Sequence, residues 1–115
     1  MGSIVKSILF KDSEKKFHIC LISGDKYASI NKISNLINLP LKKANAEECK
    51  EFTGFSIGGV SPIAHDNTPS SILIDINLSK YEKIYAAAGH PYVVFGVSYS
   101  TLCDLTKGNE NYITE

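Results

Sequence analysis

No stretch of the chain stays apolar for the roughly 18 residues that a membrane-spanning helix needs. Its first residues lack the charged-then-apolar pattern of a secretory signal. Both absences point to a cytoplasmic protein with no membrane partner. Cysteine is scarce and scattered: Cys20, Cys49 and Cys103 are three in all, with no CxxC. That spacing supports neither a zinc knuckle nor a redox-active dithiol. All three read as small core residues in a reducing compartment. No two of His18, His65 and His90 stand at metal-ligand spacing. Neither charge is in excess, because 12 Lys plus Arg balance 12 Asp plus Glu. Proteins that grip nucleic acid by bulk electrostatics are strongly basic, so any such contact here must be local. The pairs Lys15–Lys16 and Lys42–Lys43, with Lys26 and Lys32, could form a patch, although each pair alone reads as solvated surface. Also missing are a GxSxG nucleophile elbow, the GK[ST] ending of a phosphate-binding loop, and a GxGxxG dinucleotide fingerprint.

What is present suits one domain. The chain has 115 residues, 43% of them hydrophobic, which is enough to fill a single core. Residues 3–10 and 17–22 are rich in Ile, Val, Leu and Phe and read as an antiparallel hairpin across a polar turn. Ser29 caps a helix carrying Ile30, Ile33 and Ile37, and Pro40 stops it. Residues 41–44 read as a short strand. Asn45 and Glu48 form a capping-box pattern for a second helix, which Gly54 ends. Residues 55–69, with Gly58, Gly59, Pro62 and Pro69, have no period and read as a loop. Strands are expected at 72–76, 84–88 and 92–97, with a turn or short helix over 78–82. A last helix follows a cap at Ser98 or Ser100 and ends at Gly108, and the tail 109–115 is expected to fray. The total is about five to seven strands with three helices, an α+β (mixed α/β) fold.

Lys6 is the most informative single residue. Residues two apart on a strand share a face, so Ile4, Lys6, Ile8 and Phe10 point one way and Val5, Ser7 and Leu9 the other. Both faces are apolar, which predicts an interior strand. A lysine there either snorkels to water or lines a cleft as a cation for a phosphate or a developing oxyanion. The segment from Thr53 to Pro62 sets adjacent glycines before a proline, either an ordinary tight turn or a rigid loop whose N–H groups approach a ligand. Gly89-His90-Pro91 separates two apolar strands, a loop position that suits function as well as structure. His18 reads as structural or surface. No cysteine lies in an electropositive setting, so any hydrolysis here would use water.

Four blocks occur in order: Ile4-Val5-Lys6-Ser7-Ile8-Leu9-Phe10, Thr53-Gly54-Phe55-Ser56-Ile57-Gly58-Gly59-Val60-Ser61-Pro62, Ile72-Leu73-Ile74-Asp75, and Ala86-Ala87-Ala88-Gly89-His90-Pro91. In this order and spacing the chain resembles the YbaK/prolyl-tRNA synthetase-associated editing domain family, from about Ile4 to Leu105. The resemblance implies a mixed, partly closed sheet flanked by helices. It implies hydrolysis of the ester joining a wrong amino acid to tRNA, typically Ala or Cys on tRNA(Pro), with no metal or organic cofactor. The family's strand lysine corresponds to Lys6, which would contact the terminal adenosine or its phosphate. Its glycine-x-x-x-proline loop corresponds to Gly58 through Pro62, so Gly58, Gly59, Val60, Ser61 and Pro62 would hold the aminoacyl group and the water. Its glycine-histidine turn corresponds to Gly89 and His90, and Asp75 matches an acidic position after a strand. The implied partners are the acceptor end of aminoacyl-tRNA and prolyl-tRNA synthetase. Family members usually carry a further helix and strand ahead of the lysine strand. Here Lys6 stands almost at the start, and a second copy of the chain, as a homodimer, is the expected cover for that surface. Two other readings stay open: a non-catalytic tRNA- or synthetase-binding module, and a small-molecule binder.

Overall fold

The computed structural model describes residues 3–90 and 93–115, apart from the side chain of His90. Strand β1 (Val5–Asp12) and strand β2 (Phe17–Ser23) form the expected hairpin, with Lys6 opposite Ile22 and Phe10 opposite His18. Helix α1 (Ile30–Ile37) follows, capped by the Ser29 hydroxyl, which accepts from the Lys32 N–H. It ends at Asn38 in the left-handed conformation, just ahead of Pro40. Strand β3 (Leu41–Lys43) leads to helix α2 (Ala46–Thr53), whose capping box closes through Asn45 and Glu48 in both directions. After the irregular stretch come β4 (Ser71–Asp75), a 3-10 helix (Ile76–Lys80), β5 (Ile84–His90), β6 (Val93–Val97), α3 (Tyr99–Thr106) and β7 (Asn109–Asn111).

Five strands form a mixed sheet in the order β3-β1-β2-β4-β7, and β5 pairs with β6 in a second, two-stranded sheet. β1 and β2 are interior strands, as their two apolar faces require. Alternation divides the core into two clusters. Val5, Leu9, Ile19, Leu21 and Ile74 pack on one face with Leu78, Ile84 and Leu102. Phe10, Cys20, Ile22 and Leu73 pack on the other with Ile33 and Ile113.

The tail departs from expectation. It pairs with β4 as β7, and both Ile113 and Thr114 are buried. One anchor is Asp75, wholly buried at the end of β4, whose carboxylate accepts from the Ile113 N–H at 3.2 Å and the Thr114 hydroxyl at 3.3 Å. A buried carboxylate requires such donors, and the tail supplies them. The last helix ends at Lys107 in the left-handed region, not at Gly108. Gly108 is there for closeness, since a Cβ would stand 2.7 Å from Ile74 Cδ1. Cys20 and Cys49 are buried as expected, while Cys103 is half-buried.

His18 is structural, as one of its two readings held. It is buried, with Nε2 2.7 Å from Asp12 Oδ2 and Nδ1 2.6 Å from Ser71 Oγ. Asp12 Oδ1 also accepts the N–H groups of Glu14 and Lys16. One buried network therefore ties the β1–β2 turn to the start of β4.

Candidate functional site: a gap at the edge of the lysine strand

The ladder between β1 and β2 uses the even-numbered residues of β1. Ile4 C=O accepts from Gly24 N–H at its start, and Asp12 N–H donates to Lys16 C=O at its end. In an antiparallel ladder the odd-numbered residues then face the other edge, and Leu9 C=O accordingly accepts from Ala44 N–H. That outer edge is only partly covered. β3 reaches Phe10 to Asp12, while β5 makes one parallel bridge just ahead of β1, Ile4 opposite Tyr85. Between the two lies a gap, and Ser7 turns its backbone N–H and C=O toward it.

The gap is a cavity of about 390 Å³. Lys6, Ser7 and Ile8 line it from β1, Ala87 from β5, Lys43 from β3, and Ile57, Gly58 and Val60 from the irregular loop. Among the described residues its lining carries two lysines and no carboxylate, so it is electropositive although the chain is neutral.

The loop is held by its own backbone. Thr53, the buried last residue of α2, accepts the Phe55 N–H at 3.0 Å and donates to Cys49 C=O at 2.6 Å. Gly59 N–H donates to Ser56 C=O across a turn that puts Gly58 at φ +89°. That left-handed conformation suits glycine. A Cβ on Gly58 would meet nothing within 4 Å among the described residues, so the space beside it is open.

The residues singled out from the sequence divide into groups. Lys6, Gly58 and Val60 meet at the cavity. Gly59, Ser61 and Pro62 are buried in the loop behind it. There Ser61 C=O accepts from His65 Nε2 at 2.6 Å, and Pro62 lines a separate pocket. A carbonyl only accepts, so Nε2 carries the His65 proton. Burial holds the His65 pKa below its ordinary value, against the pull of that bond. Gly89 sits at φ +90° in an irregular part of β5, and a Cβ there would stand 2.9 Å from Phe55 Cε1. The glycine–histidine turn and the loop are thus in contact. His90 ends β5 opposite Val93; its side chain, with Pro91 and Tyr92, lies outside the described residues. Asp75 stands apart from the cavity, its carboxylate occupied by the tail.

Lys6 spans a junction. Its side chain lines the cavity and also a second groove, where Nζ donates to Lys26 C=O at 3.1 Å and lies 5.5 Å from the centre of the Tyr27 ring. Ser7 is a further candidate that no sequence motif singles out. Its hydroxyl oxygen is buried without a hydrogen-bond partner among the described residues, beside the cavity. The available signal was a polar residue between Val5 and Leu9 on a core-facing register. Burial pushes the Cys20 thiol up to about 12, and raises that of Cys49 against a weaker contrary effect of Thr53, which disfavours a thiolate at both.

Known proteins share both the sequence and the fold. The aminoacyl-tRNA editing domain profile matches residues 1–105. A proline–tRNA ligase of Lactobacillus acidophilus is 33% identical over 87 residues, covering 75% of this chain and 15% of the ligase. A second, from Lactobacillus gasseri, is 41% identical over 64 residues, covering 55% of the chain and 11% of the ligase. The chain therefore spans less than a sixth of either ligase. A crystal structure of a candidate trans-editing enzyme for prolyl tRNA synthetase superposes with a TM-score of 0.93 at 35% identity, covering 99% of this chain and 71% of that one. The chain belongs to the aminoacyl-tRNA editing domain family, of the YbaK type.

Proposed function

We propose that this chain is a free-standing hydrolase that deacylates mischarged aminoacyl-tRNA, with Ala- or Cys-tRNA(Pro) as substrate. The observation that carries the reading is the convergence of Lys6 with Gly58 and Val60 on one electropositive cavity, in a chain of the editing family.

An aminoacyl ester is already activated, so the protein must chiefly position water and stabilise charge. Water attacks the ester carbonyl, a tetrahedral oxyanion forms, and the bond to the ribose oxygen breaks. The amino acid leaves as its carboxylate and the ribose oxygen regains a proton. In this reading Gly58 offers backbone and open space to the acyl group, and Gly59, Ser61 and Pro62 hold that loop in shape. Val60 and Ala87 wall the pocket, and the end of β5 that carries Gly89 and His90 continues from that wall. Lys6 supplies positive charge where the ester meets the terminal nucleotide. The Ser7 hydroxyl supplies an unused hydrogen bond to the ester or the water. Discrimination against the larger, correct amino acid must come from steric fit, because one methylene in a pocket is worth only about 1–3 kcal/mol.

The test is a panel of tRNA(Pro) charged with Ala, Cys or Pro. Release of Ala or Cys, with Pro retained, is the expected result. Binding of tRNA without release from any of them would favour a non-catalytic accessory module.

A further inference from the structure

The groove on the far side of Lys6 encloses about 540 Å³ and shares Lys6, Ile8 and Lys43 with the cavity. Phe10 contributes to its apolar lining, Tyr27 lines it and Glu115 also borders it. Tyr27 is 74% exposed and belongs to neither core cluster. Its backbone C=O accepts from Glu115 N–H at 2.9 Å, so the main chain that carries the ring is anchored at the groove. Its ring lies against the Lys6 ammonium. An exposed aromatic face beside two lysines matches the two parts of a nucleotide, since any base stacks on a ring and a phosphate needs cations. The groove is also sorted by charge. The acidic Glu115 repels phosphate from its own part, leaving the Lys6–Lys43 part for it.

We propose that this groove binds the single-stranded nucleotides that precede the acylated ribose, with one base stacked on Tyr27 and a phosphate between Lys6 and Lys43. The identity of the ligand rests on the deacylase reading of the adjoining cavity. Lys6, common to both spaces, would then sit where the nucleotide meets the ester.

The probe is the uncharged ribotrinucleotide CCA, titrated into the whole chain and followed by amide resonances. Shifts are expected at Tyr27, Ile30 and Lys43. Tyr27→Ala should weaken binding by about fivefold or more, the loss of one base stack, while Tyr27→Phe restores it. Lys43→Ala should lower the slope of log affinity against log salt by about 0.7, one single-strand phosphate contact. Equal affinity of Tyr27→Ala and wild type overturns the proposal, as do shifts confined to other faces. The two readings fail separately. Binding of CCA through Tyr27, with no release from any mischarged tRNA, keeps the groove and removes the deacylase. Deacylation with an unchanged KM in Tyr27→Ala does the reverse.

Discussion

Gly89→Ala probes the contact between the two glycine segments that wall the cavity, and Gly58→Ala is its internal control. Both glycines sit in the left-handed region, at φ +90° and +89°. An alanine in that region costs roughly 1–2 kcal/mol, offset by about 0.4–1 kcal/mol through the reduced entropy of the unfolded chain. For Gly58 nothing else is added, because its Cβ would enter open space. Its net cost should be about 1 kcal/mol or less. For Gly89 the Cβ would stand 2.9 Å from the half-buried Phe55 ring, so the ring must move. Overpacking of this kind costs typically 1–3 kcal/mol more. Gly89→Ala should therefore fall about 2–3 kcal/mol below wild type in urea unfolding, with an unchanged m-value. On heating, that corresponds to a Tm lowered by roughly 4 °C per kcal/mol. Truncating Phe55 together with Gly89→Ala should recover the overpacking part. Equal stability of the two single variants would refute the placement of Phe55 against β5, and with it the joined wall.

Other substitutions separate fold from chemistry. Asp75→Ala leaves the buried Ile113 N–H without its acceptor and should cost about 1–3 kcal/mol. Its KM and kcat for deacylation should be unchanged at a temperature where it stays folded, and a selective fall in kcat would return Asp75 to the site. For Asp12, burial raises the carboxyl pKa, but the bonds from His18, Lys16 and Glu14 outweigh it, and the net shift is downward. A carboxylate with a lowered folded-state value stabilises the protein above its ordinary pKa of 3.8. That stability is lost as the pH falls through the folded-state value. The urea midpoint should thus drop on acidification below 3.8 in wild type, and less steeply in Asp12→Asn. Ser7→Ala removes a buried hydroxyl that has no partner, so it should leave stability level or raised. A lowered kcat/KM in that variant would give the hydroxyl its role, and unchanged kinetics would take it away.

Local chemistry made much of the fold legible. Alternating apolar residues marked β1 and β2 as interior strands, and the Asn45–Glu48 pair marked the start of α2. Ser29 and Gly54 bounded their helices for the same reason, since caps are written within a few residues. What stayed hidden depends on residues distant in sequence. The tail is ordered because β4 pairs with it and Asp75 presents a buried carboxylate to it. His18 is locked by Asp12 and Ser71, which converge only once β2 lies beside β4. Asp75 looked like a site residue because an acidic group after a strand reads the same whether it faces a ligand or a tail. The cavity itself comes from the failure of β3 and β5 to meet along β1, a property of no single segment. The motif residues pointed to its lining at Lys6, Gly58, Val60 and Ala87, but Lys43, which the sequence offers only as part of a surface patch, joins it through topology. Tyr27 gave no signal, as one exposed tyrosine after a turn looks like any other.

Lys6 is where the functional account is most exposed to test. The decisive measurement is the single-turnover release of alanine from Ala-tRNA(Pro) by wild type and by Lys6→Ala, with both proteins shown folded by their unfolding curves. The account predicts release by wild type and a rate about 10²–10³ lower in the variant, the loss expected for one electrostatic group at a developing oxyanion. An undiminished rate in Lys6→Ala would contradict it.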